Sequence, residues 1–143
     1  MTSAVTNIAK FQKWRTSVAQ SNAGTRIKLI RAGIPANVLV FASEYFEMPR
    51  AQFVKIMGMS PATAERKIKS RSLLGPIESE RLERLAIIEN QAEQVFGDAG
   101  KAKNWLTQKN LALGDTPLSM LDTETGAREV TKILGSIAYG GAV

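Results

Sequence analysis

The chain has 143 residues, 44% of them apolar, with 19 Lys/Arg against 13 Asp/Glu and neither cysteine nor histidine. That length suits one domain or two small ones with a modest core, and the missing residue types exclude disulfides, Cys/His metal sites and Cys–His or Ser–His nucleophilic catalysis. The net charge of +6 is uneven: residues 1–75 hold 12 Lys/Arg and 3 Asp/Glu, residues 76–143 hold 7 and 10. A basic first half fits a polyanion partner, because each phosphate it neutralises releases condensed counterions; a mildly acidic second half implies a different task.

Residues 1–24 are polar and rich in small side chains, and are expected as a loosely ordered N-terminal arm that helps self-association. Ile8, Phe11, Trp14 and Val18 do recur at steps of three or four, which would suit a short amphipathic helix with Lys10, Lys13 and Arg15 on its other side. The opening stretch lacks the basic-then-apolar order of a secretory signal. No apolar run approaches the ~20 residues that span a bilayer, so a cytoplasmic protein without membrane contact is expected. Gly24–Gly33 mixes Arg26, Lys28 and Arg31 with Ile27, Leu29 and Ile30, and its period fits a short strand or a helical turn equally. Pro35 opens a helix through about Glu47, with Val38, Leu39, Phe41, Ala42, Tyr45 and Phe46 as its buried side. It stops near Met48, since the residue before Pro49 is pushed out of the helical region.

Pro49 to Arg71 reads as two short helices across a tight turn. Phe53, Val54, Ile56 and Met57 give the first an apolar face, and Gly58 ends it in a left-handed conformation that glycine takes without penalty. Ser60 is a good N-cap and Pro61 fits the first helical position. The second helix carries Arg66, Lys67, Lys69 and then Arg71, with Ile68 as its main apolar anchor. A helix–turn–basic helix is the pattern of a helix-turn-helix DNA reader, although a helical hairpin with a solvated cationic face shares it; the basic first half favours the reader. For DNA contact the candidates are Ser60, Ala62, Thr63, Glu65, Arg66 and Lys69 toward the bases, with Arg66 foremost because arginine pairs bidentately with guanine. Arg50, Lys67 and Arg71 are candidates for phosphate.

Leu73–Pro76 is a break before a long helix from Pro76 to about Phe96, where Leu82, Leu85, Ile88, Ala92 and Val95 form a narrow seam that connects the two halves. Gly97-Asp98 ends it and caps a helix over Ala99–Gln108. A turn at Asn110–Asp115, a short helix over Pro117–Leu121 and a last helix bearing Ala127, Val130, Ile133, Leu134 and Ile137 follow, and Tyr139–Val143 is a flexible tail. The predicted fold is all-α: an arm (1–24), a helix-turn-helix domain (25–75), and a connecting helix with a small helical C-terminal domain (76–143).

The stretch Val95–Gly140 resembles the toxin-binding domain of Xre/MbcA/ParS-type antitoxins. The resemblance rests on Phe96-Gly97, Ala102, Trp105-Leu106, Asn110, Leu113-Gly114, Thr116-Pro117-Leu118, Leu121, Gly126, Val130 and Leu134, and extends upstream through the helix-turn-helix to about residue 25. It implies a type II antitoxin that neutralises a RES-domain, NAD-consuming toxin by covering its active-site entrance, while its N-terminal half binds the promoter of its own operon. Trp105, Leu106, Leu118, Leu121, Val130 and Leu134 are expected in the core, and Gly97, Gly114 and Gly126 to serve backbone geometry. The expected toxin contacts are Lys109, Asn110, Arg128, Lys132 and the tail Tyr139, Gly140, Gly141, Ala142 and Val143. One departure from common helix-turn-helix patterns stands out: Val54 occupies a position where alanine is usual, and Ala64 one where a larger aliphatic is usual, a swap that either conserves volume across the helix contact or changes the crossing angle and with it individual base contacts. A homodimer is expected from two-fold operator reading. No cofactor is implied and no enzyme, since acidic residues such as Asp122 and Glu124 near a helix start usually cap it. The rival is a stand-alone helix-turn-helix regulator whose second half only oligomerises.

Overall fold

The computed structural model describes residues 2–140. In these, eight α-helices follow one another: α1 Thr2–Gln20, α2 Ala23–Ala32, α3 Val38–Tyr45, α4 Arg50–Ile56, α5 Pro61–Lys69, α6 Pro76–Phe96, α7 Ala99–Thr107 and α8 Glu124–Ala138, with a 3-10 turn at Leu118–Asp122. The only β-type pairings among the described residues are two isolated bridges, Pro35 to Leu73 and Asn110 to Asp115. The fold is all-helical, as expected.

Local signals set most boundaries. Ser60, Asp98 and Thr123 each accept a hydrogen bond from the backbone N–H three residues on, and Asn22 does the same for Thr25. Each occupies one of the donors that a helix start leaves unpaired. Asn22 resolves the ambiguous stretch after it: residues 23–32 are a helix. Pro76 begins α6 and Gly97 ends it with a left-handed residue.

Residues 2–20 overturn the expectation of a loose arm. They form α1, which lies on α3 and α6, with Phe11 and Val18 buried. Phe11 sits 4.7 Å from the Tyr45 ring and 5.8 Å from Phe46, and Phe46 stacks 6.1 Å from Phe53. One aromatic chain thus joins α1, α3 and α4. Burial of such rings contributes more than the frayed end of a chain can refuse, on the order of 2 kcal/mol each.

Beside that cluster lies a buried polar network. Arg15, 5% exposed, forms an ion pair with Glu89, 0% exposed, and reaches Glu93 at 2.7 Å. The Tyr45 hydroxyl donates to the other Glu89 oxygen at 2.6 Å. Burial raises the Glu89 carboxyl above its ordinary pKa, with the Tyr45 hydrogen bond and the Arg15 charge opposing. The Tyr45 phenol is also raised, chiefly by burial and by donating to Glu89.

The long helix is more than a connector. Residues Ser79, Leu82, Leu85, Ala86, Ile88, Glu89 and Ala92 are buried along it, a band wider than one seam, because α1, α2, α7, α8 and the 3-10 turn all pack on α6. Ser79 ties the loops around it: its hydroxyl accepts from Ile34 N at 2.9 Å and donates to Leu74 O at 3.3 Å. The core therefore runs unbroken from Phe11 to Leu134. The tail also differs from expectation. Tyr139 donates its N–H to Gly135 O and Gly140 to Ile137 O, closing α8 by hydrogen bonds of the kind that finish a helix; Gly141, Ala142 and Val143 lie outside the described residues.

Candidate functional site

In the α4–turn–α5 unit the two helices pack against each other. Val54 and Ala64 are both buried, the bulky side chain on α4 and the small one on α5. Gly58 turns the chain at φ +78°. A Cβ on it would also lie 2.3 Å from Nη1 of Arg81, since Arg81 on α6 donates to the carbonyls of Met57 and Gly58, both at 3.2 Å. These carbonyls are among those a helix end leaves unpaired. The turn is thus held from behind by the central helix.

With Ala64 buried and Ile68 half-buried, the opposite side of α5 faces solvent. Ala62, Glu65, Arg66 and Lys69 are all exposed and fall at i, i+3, i+4 and i+7, one stripe of the helix. Ser60 caps the N-terminal end, with Thr63 and the half-buried Lys67 on the flank and exposed Arg71 just beyond the C-terminal end. Arg71 has φ +56°, a left-handed residue ending the helix where glycine is more usual. The structure brings all the expected DNA candidates onto α5 and its edges except Arg50, which starts α4. Arg50 is bound to Glu65 at 2.9 and 3.1 Å, so the one acid in the stripe is paired by it. Arg66, Lys67, Lys69 and Arg71 have no acidic partner among the described residues. Part of the basic excess of the first half goes elsewhere: Arg15 is buried with Glu89, and Arg26 bonds Glu83 at 3.1 Å.

The second surface is formed by α7, the 3-10 turn and α8. Leu106, Leu118, Leu121, Val130 and Leu134 are buried as expected, whereas Trp105 is only half-buried, against Phe96 with ring centroids 5.8 Å apart. Gly126 permits the closest approach in this region. A Cβ there would lie 2.0 Å from Met120 O, so the 3-10 turn rests directly on the first turn of α8. Arg84 on α6 donates to Leu121 O at 2.9 Å, fixing the same turn from the other side.

Of the expected toxin contacts, Arg128 and Lys132 share the exposed side of α8, each paired on its own helix, Arg128 with Glu124 at 3.1 Å and Lys132 with Glu129 at 3.5 Å. Arg128 also lines a groove of about 370 Å³ between α6 and α8, with Glu80, Glu83, Arg84 and Thr131. Burial raises the Glu83 carboxyl in this groove, opposed by Arg26. Lys109 is exposed beyond α7. Asn110 is engaged in the turn that follows: its side-chain oxygen accepts from Ala112 N at 2.9 Å and Leu113 N at 3.2 Å. Tyr139, at 94%, is almost fully exposed. The residues that sequence reasoning passed over are Arg81 and Arg84, three apart on the seam helix, where a cation among acids gives no hint of carbonyl partners distant in sequence.

No helix among the described residues is long and apolar enough to cross a membrane. Comparison with known proteins matches residues 25–86 to the antitoxin Xre-like helix-turn-helix domain and residues 91–140 to the antitoxin Xre/MbcA/ParS C-terminal toxin-binding domain; the first range ends and the second begins inside α6. Antitoxin Xre of Yersinia enterocolitica is 30% identical over 130 residues, covering 89% of this chain and 88% of the relative. Antitoxin Xre of Photorhabdus laumondii is 28% identical over the same shares, and that of Pseudomonas putida 44% over 79 residues, 54% of this chain and half of the relative. With a DNA-binding helix-turn-helix and a toxin-binding C-terminal domain on one helical core, this chain belongs to the Xre antitoxin family and is a non-enzymatic antitoxin.

Proposed function

We propose that the chain neutralises a RES-domain toxin that consumes NAD by covering its active site, and that as a homodimer it binds the operator of its own operon in the cytoplasm. The observation that carries this reading is the presence of both matched domains on one core, with α6 holding the α4–α5 turn through Arg81 and the 3-10 turn through Arg84. The exposed stripe Ala62, Glu65, Arg66 and Lys69 enters the major groove, with Ser60 and Thr63 at the leading end. Lys67 and Arg71 meet phosphates. Arg50 reaches a phosphate only by leaving Glu65. Two copies related by a two-fold axis read two half-sites. Against the toxin, the contacts are Lys109, Arg128, Lys132 and the end of the chain from Tyr139, with Asn110 shaping the turn between them. Inhibition is steric and needs no catalytic group.

The test is cellular NAD after induction of the RES-domain protein expected beside this gene, with the full chain, with residues 1–136, or with neither. The full chain should preserve NAD. Loss of protection by the shortened chain, with its helicity retained, assigns the block to residues from Ile137 onward; equal protection assigns it to the folded surface. NAD depletion that the full chain does not prevent sinks the proposal.

A further inference from the structure

The turn between α7 and the 3-10 turn holds a leucine that folding leaves in water. Leu111 is 92% exposed, so the folded chain gains almost nothing from its apolar side chain. Turn positions of this kind usually carry Gly, Pro, Asn, Asp or Ser. Single exposed apolar residues are common; what sets this one apart is how it is displayed. Asn110 N donates to Asp115 O at 3.0 Å, and Gly114 N donates back to Asn110 O at 2.8 Å. The Asn110 side chain accepts from the two residues after Leu111. On the far side, Thr116 N donates to the Asp115 carboxylate at 2.7 Å, and Ser119 N to the Thr116 hydroxyl at 3.2 Å. Leu113 packs inward against the core, so the leucine two positions earlier stands on a tip braced on both sides. A side chain presented by a pre-ordered backbone loses little further entropy on docking.

We infer that Leu111 is an apolar anchor for the toxin, entering a pocket on it and buried there together with the adjoining exposed Ala112. The inference rests on the toxin-binding reading above: the turn lies inside the matched toxin-binding range. Lys109 and Asp115, both exposed, flank the tip with opposite charges and form its polar rim, the arrangement in which a central apolar contact is sealed from water.

The test is the affinity of the purified full chain for a catalytically silenced RES-domain toxin, measured by calorimetry for the wild type, Leu111→Ser, Leu111→Met and Leu73→Ser. Leu73 is another exposed leucine, outside the toxin-binding range. Leu111→Ser should weaken binding at least tenfold with its melting temperature unchanged. Leu111→Met should stay within about threefold of wild type, and Leu73→Ser should bind as wild type does. Wild-type affinity in Leu111→Ser overturns the inference and leaves the toxin-binding reading intact. Equal losses in Leu111→Ser and Leu73→Ser overturn it as well, since the effect would then belong to surface apolarity in general. A wild-type chain that does not bind the toxin removes the underlying reading and the anchor with it.

Discussion

The outward sides of α5 and α8 are made from the same residue types and differ in what is left unpaired. On α5 the single acid, Glu65, is taken by Arg50 from a neighbouring helix, and Arg66, Lys67, Lys69 and the following Arg71 stand without acidic partners among the described residues. On α8 each of the two cations has an acid on its own helix, Arg128 with Glu124 and Lys132 with Glu129. The first surface is a net positive field, which a phosphate backbone can meet at many registers. The second is locally balanced and offers shape, with large side chains such as Tyr139 almost fully exposed. A polyanion can be recognised through charge alone, whereas a folded protein partner has to be recognised through fit.

Both surfaces belong to one folded body with a continuous core, and the strongest test is to damage the part they share. Arg15→Met leaves Glu89 buried without its cation, which should cost roughly 3–5 kcal/mol. Urea denaturation followed by Trp14 in a Trp105→Phe background and by Trp105 in a Trp14→Phe background should show one shifted transition at both reporters. Two separate transitions would break the single-body picture. A smaller effect sharpens the contrast of charge. Arg66→Ala should lower operator affinity by about 5- to 150-fold, the range for losing one bidentate base contact, while Arg128→Ala leaves operator affinity unchanged and stability within about 0.5 kcal/mol, as for an exposed helical ion pair. Equal losses of DNA binding, read by anisotropy at fixed salt, would erase the distinction between the two helices.

The smallest expected effect concerns pH. The folded-state pKa of Glu89 is raised, so its titration contributes stability that is present below the ordinary carboxylate range and lost as pH rises through the folded value. The stability of the wild type minus that of Glu89→Gln should therefore decline between pH 4 and pH 7 in matched denaturant titrations. A rise over that interval would mean that the Arg15 charge outweighs burial.

Much of this architecture was legible in the residues. Ser60-Pro61, Gly58 and Pro76 mark boundaries by chemistry that acts within one helical turn, and the structure sets its helices there. The stripe on α5 was legible for the same reason, since helical spacing alone gathers Ala62, Glu65, Arg66 and Lys69. What escaped was action at a distance. The apolar spacing of Phe11 and Val18 suits a helix, but nothing near Arg15 in sequence announces Glu89, 74 residues away, and a stretch dense in Ala, Ser and Thr reads as an arm until that partner is known. Arg81 and Arg84 escaped likewise, because main-chain carbonyls carry no residue type. At the end of the chain, Tyr139-Gly140 looked like a tail, although Gly140 finishes α8 with a hydrogen bond to Ile137.

The placement of Arg15 also ties two distant turns to the first helix of the chain. A force that draws α1 away removes the only cation paired with Glu89 among the described residues, and the stranded carboxylate sits on the helix that holds both the α4–α5 turn and the 3-10 turn. Pulling on the 19 residues of α1, none of them in α4, α5 or α8, would thus loosen both turns at once. The two turns, 63 residues apart in the chain at Gly58 and Leu121, then share one dependence: how firmly α1 stays docked on α6.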